Sequence, residues 1–214
     1  MADIFREVDE DLRRENLEKI WKRYGKVILA LALVLVLGVA GLQAWKAYDR
    51  QQRQQQSDRF AAALATAQNG DPAAAAEALA EWSKPDGGGY PGLAALERAR
   101  LLADTGDTAR AIAVWDQIAA DSDLGSGFRA MATLLSVLHQ IEDGDPDELR
   151  QRLVPLAAPG SAFRGSAWEL MAVLALREGD TSRARALYTQ ISDDRELPGG
   201  VRARATQMLA ALEE

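Results

Sequence analysis

The chain has 214 residues, a formal net charge of −7 at pH 7, no cysteine and a single histidine. Without cysteine there is no disulfide, thiol catalysis or zinc–thiolate site, and one histidine cannot assemble an imidazole metal site or a nucleophilic dyad. Residues 1–26 balance seven acids with seven bases, so the excess acid lies further along and excludes a nucleic-acid footprint.

In chain order, residues 4–24 space Ile4, Val8, Leu12, Leu17, Ile20, Trp21 and Tyr24 at mostly helical intervals, with acids early and bases late as a helix dipole prefers. Residues 1–26 are therefore expected to form an amphipathic helix. Residues 27–45 follow as an apolar run with no charged side chain and Gln43 near its end, long enough at about 1.5 Å per residue to cross a hydrocarbon core of roughly 30 Å. Trp21 and Tyr24 before it and Trp45 and Tyr48 after it are the aromatic pairs expected at the two membrane interfaces. Arg13, Arg14, Lys19, Lys22, Arg23 and Lys26 close before the run outnumber Lys46, Arg50, Arg53 and Arg59 close after it, a bias that favours an N-terminus in the cytoplasm and the larger part outside it. A cleaved leader ending near Gly38, Val39 and Ala40 is the competing reading; the long lead-in and the apolar run continuing past that point count against it. Gly38, Ala40, Gly41 and Ala44 form a small-residue patch where another helix could approach. Asp49 to Ser57 is polar all round, and with no proline or glycine between Leu42 and Gln68 residues 46–56 read as a helical stalk.

From residue 57 to 214 the chain repeats. Gly-Asp recurs at Gly70-Asp71, Gly106-Asp107, Gly144-Asp145 and Gly179-Asp180, a period of 35 to 38 residues that marks stacked helix pairs. Glycine supplies the left-handed conformation that ends one helix, and aspartate caps the next. Pro72 and Pro146 stand at first helical positions. Alanine and leucine dominate and β-branched residues are sparse, so the domain is expected to be all-α. Gly87-Gly88-Gly89 and Gly125-Ser126-Gly127 read as loops between units.

This spacing resembles the tetratricopeptide repeat. With the turn glycine at position fifteen, small residues are expected at Ala63, Ala99, Val137 and Ala172 and again at Ala75, Ala111, Leu149 and Ala184. Bulky residues fall on Leu79, Trp115, Leu153 and Tyr188, and the family's early tryptophan appears once, as Trp168. Val137 and Leu149 make the third unit degenerate. Val201, Ala205, Met208, Leu209 and Leu212 form the stripe of a C-terminal capping helix, of the kind repeat stacks need. The expected fold is one transmembrane helix followed by an α-solenoid of about four helix pairs and a cap.

No catalytic constellation, cofactor site or metal site is found in the sequence. His139 sits among apolar helical neighbours, and Asp143, Asp145, Asp147 and Glu148 lack the spacing of a calcium loop. What remains is a binding surface. In the tetratricopeptide arrangement the first helix of each pair lines a groove, and its contact positions here are Leu96, Arg100, Met131, Leu134, Leu138, Ile141, Val173, Leu176 and Arg177. No lysine follows Lys84, so the family's carboxylate clamp is missing and an apolar protein ligand fits better.

Taken with the opening Met1-Ala2-Asp3-Ile4-Phe5-Arg6-Glu7-Val8, the Arg13-Arg14-Glu15 run and Trp21-Lys22-Arg23-Tyr24-Gly25, the whole chain resembles the bacterial membrane-anchored tetratricopeptide family that includes the ancillary subunit of the SecYEG translocon. That resemblance implies an inner-membrane, single-pass, non-enzymatic protein with a periplasmic interaction domain. Its implied partners are translocon subunits and a periplasmic chaperone or secreted chains, with no small-molecule substrate. A scaffold or assembly subunit of another inner-membrane complex is the alternative.

Overall fold

The structure, a computed structural model, describes residues 2–81 and 89–213, with side chains described from residue 22 onward except those of 28, 32 and 89. Among the described residues every regular element is an α-helix: α1 (Ala2–Gln68), α2 (Pro72–Ala80), α3 (Gly89–Asp104), α4 (Thr108–Ala120), α5 (Ser126–His139), α6 (Pro146–Leu153), α7 (Arg164–Arg177), α8 (Thr181–Asp193) and α9 (Gly199–Ala211). It separates into two compact units, Met1–Gln56 and Ser57–Glu214, with the boundary inside α1.

In the first unit the apolar run is helical and its side chains are bare: Leu33, Val34, Leu35 and Leu37 are each exposed. None of its most apolar window is buried against the rest of the chain. A core helix would be covered, so this segment is instead long and apolar enough to cross a membrane. Tyr24, Trp45 and Tyr48 are exposed beside it, while the side chain of Trp21 and the amphipathic pattern of residues 4–20 lie outside the described side chains.

In the second unit consecutive helices pack on one another, α2 on α3, α3 on α4, α4 on α5, and α7 on α8 and α9. The repeat register accounts for the packing. All eight expected close-approach positions are buried: Ala63, Ala99, Val137 and Ala172 on first helices, and Ala75, Ala111, Leu149 and Ala184 on second helices. So are the four bulky positions Leu79, Trp115, Leu153 and Tyr188. Fully burying a side chain of that size contributes about 1.5–3 kcal/mol, so these four anchor their pairs. At Tyr188 burial, with the nearby Glu169 carboxylate second, pushes the phenol above its ordinary range. Three apolar clusters result: one from the end of α1 to α5, one joining α5, α6 and α7, and one closed by α9 through Ala205, Met208 and Leu212.

The turns show the expected chemistry at three of four sites. Gly70, Gly106 and Gly179 take positive φ, and the following aspartate N–H closes the preceding helix, as Asp107 N does on Leu102 O at 2.8 Å. The aspartate carboxylates then accept from the N–H three residues on: Ala74, Arg110, Glu148 and Arg183 at 2.9, 3.3, 2.9 and 2.9 Å. Gly144 corrects the expectation. It does not take positive φ, because α5 already ends at His139 and an extra turn intervenes. Glycine serves there for space: a Cβ would lie 2.9 Å from both Gln140 O and Leu149 Cδ1. A second correction concerns Gly125-Ser126-Gly127, of which only Gly125 lies outside a helix, as the N-cap of α5. Gly89 likewise opens α3, while Gly87 and Gly88 lie outside the described residues.

Candidate protein-binding face

Exposed large apolar side chains in the second unit are few, and their placement is selective. Leu93 stands on α3, Met131 and Leu138 on α5, and Val173 on α7, all first helices of their pairs; Val154, just past α6, is the exception among the described residues. The large apolar residues within the second helices are buried or half-buried instead. Among the described residues, the exposed large apolar side chains thus gather on the first helices of three of the four pairs.

The nine residues expected to line the groove divide into four groups. Met131, Leu138 and Val173 are exposed, as a contact surface requires. Leu96 and Arg100 border a depression of about 280 Å³. Leu134, Ile141 and Leu176 are half-buried against the clusters and serve mainly as its backing. Arg177 is engaged elsewhere: one terminal nitrogen donates to Ile141 O at 2.6 Å and the other to Gly144 O. It ties down two carbonyls of the turn that follows the early stop of α5, one unit back along the stack.

Seven lining residues of the depression escaped the sequence register: Phe60 near the end of α1, Leu93, Glu97, Ala103 and Asp104 on α3, and Leu135 and His139 on α5. Leu93 lies three residues before Leu96, so the helical face could have been extended one step backward. His139 stacks on the buried indole of Trp115, ring centres 4.5 Å apart and planes 25° from parallel. Trp115 is thereby the floor of the depression, and the lone histidine covers part of it.

The rim is charged. Arg100 donates from Nε and Nη2 to Glu97 at 3.0 and 2.6 Å, and from Nη1 to Asp104. The Glu97 hydrogen bond, chiefly, raises the guanidinium above its already high range. Elsewhere Asp145 is spent on its cap and Asp147 on Arg150, so two of the four acids of that turn have structural partners.

A family model described as "Tetratricopeptide repeat-like domain" matches residues 18–210. The chain belongs to that family. The match takes in the apolar helix as well as the helix pairs, and the tetratricopeptide repeat-like fold typically serves as a non-catalytic scaffold for protein–protein interaction. No curated relative matches the chain. No solved structure matches it either.

Proposed function

We propose that this tetratricopeptide repeat-like protein is a single-pass inner-membrane interaction module whose first-helix face binds a periplasmic chaperone or an emerging secreted chain beside the secretion channel. Residues 1–26 lie in the cytoplasm, 27–45 span the membrane with Trp21, Tyr24, Trp45 and Tyr48 at its borders, 46–56 form a stalk and 57–214 the periplasmic domain. The observation that carries the binding role is the placement of Leu93, Met131, Leu138 and Val173 on first helices alone. The charge bias around the apolar run supports the orientation, and the resemblance of the N-terminal block supports the translocon. The test is photocrosslinking in cells from single probes at Ala40 and Leu138, with mass spectrometry of the adducts. Translocon subunits at Ala40 together with varied chaperones or secreted chains at Leu138 are expected. One non-translocon protein captured at both probes in fixed ratio would replace this reading with that of a scaffold subunit.

A further inference from the structure

The depression between the end of α1, α3 and α5 has a wall chemistry that narrows what it can hold. At about 280 Å³ it is smaller than the roughly 300–1,000 Å³ of small-molecule sites. Its walls, Phe60, Leu93, Leu96 and Leu135, are apolar, and its floor is the Trp115–His139 stack. That is a socket for one bulky side chain of a protein partner, since an aliphatic or aromatic group gains from every wall and a polar one would lose its water without replacement.

The rim then decides what flanks that side chain. Glu97 and Asp104 bring two carboxylates against the single guanidinium of Arg100, which already donates to both. Arg100 is thus occupied, and a carboxylate arriving with the partner would have to displace an existing pair. Asp104, its side chain 56% exposed, keeps lone pairs open to solvent. The surroundings act in the same direction: residues 57–214 carry twenty-four acids against fifteen bases. An ammonium or guanidinium placed beside the socket is therefore attracted at the rim and by the domain as a whole.

Resting on the reading of this face as protein-binding, we infer that the socket takes a bulky apolar side chain flanked by lysine or arginine in a partner protein segment. Recognition runs opposite in sign to a carboxylate clamp: the cation comes with the ligand and the acids with the repeat.

The test uses the full chain in zwitterionic nanodiscs and fluorescence anisotropy with labelled Ser/Gly peptides. One carries a single phenylalanine flanked by lysines, and its counterpart carries glutamates in their place. The lysine peptide is expected to bind about tenfold more tightly, a gap that narrows as salt screens the rim. Leu93→Ser and Asp104→Asn, both at exposed positions, should each weaken the lysine peptide severalfold, while Val154→Ser, exposed just past α6 and outside the first-helix face, should leave it unchanged. Equal affinity for the two peptides, no measurable binding of either, or indifference to both socket substitutions would overturn the inference. Loss of binding on Val173→Ser with no effect of Leu93→Ser would also overturn it, yet would leave the wider face as the binding surface. Crosslinks from Leu138 in cells report on that wider reading independently.

Discussion

At the scale of single residues, the Gly-Asp dipeptide performs two different tasks under one spelling. Gly179 needs its left-handed backbone, with φ +79 and nothing within 4 Å of where a Cβ would stand, so Gly179→Ala is expected to cost about 1–2 kcal/mol through conformation alone. Asparagine tolerates that conformation, so Gly179→Asn should recover part of the loss. Gly144 has no such backbone demand, and its cost comes from crowding of Gln140 O and Leu149, on the order of 1–3 kcal/mol. Asparagine there should be no better than alanine. Urea unfolding of the full-length protein followed by circular dichroism separates the two cases. Recovery by Gly144→Asn would mean that backbone conformation, and not space, selects glycine in the third unit.

At the scale of helices, the third pair is the one whose register was legible but whose stabilisation was not. Val137 and Leu149 replace the expected alanines and both are still buried, so the small-residue rule relaxes without the pair coming apart. α6 spans only eight residues, and part of what holds it is polar. Buried Ser136 on α5 donates to Asp116 on α4 at 2.6 Å and accepts from Gln140 at 2.9 Å and from Arg152 on α6 at 3.0 Å; Arg152 also pairs with Asp116. No periodicity announces such a knot, because Asp116, Ser136 and Arg152 lie in three different helices and each alone reads as a surface residue. Ser136→Ala leaves the Arg152–Asp116 pair standing and is expected to cost about 1 kcal/mol. Arg152→Met strips the carboxylate and the hydroxyl of a shared donor and should cost about 2 kcal/mol. Because the two changes share partners, the double variant should lose less than their sum. Strict additivity in a urea double-mutant cycle would show that the three groups act separately.

At the scale of the whole chain, what the sequence disclosed follows from how each feature is encoded. Helix pairing rests on local signals, caps and glycines at a fixed period, and these stand in the sequence at Gly70, Gly106 and Gly179. The binding face rests on which side of a helix remains uncovered, and there the register placed Met131, Leu138 and Val173 on the surface but spent Arg177 on a partner it could not foresee. The apolar helix is encoded by composition alone, and with its side chains exposed it is long and apolar enough to cross a membrane. That makes its removal the most direct test of how the molecule is held. Arginine at the centre of a membrane helix costs about 2.5–3.5 kcal/mol in insertion, so the pair Leu33→Arg and Leu37→Arg should abolish stable integration. The protein would then shift from the alkali-resistant membrane pellet to the soluble fraction on carbonate extraction. Ala61→Arg with Ala65→Arg, also exposed on α1 but within the repeat unit, should leave the distribution unchanged. If the central arginines left the protein in the resistant pellet, the span would not be its anchor. The exposed leucines and valines of residues 29–42 would then require a protein partner as their cover.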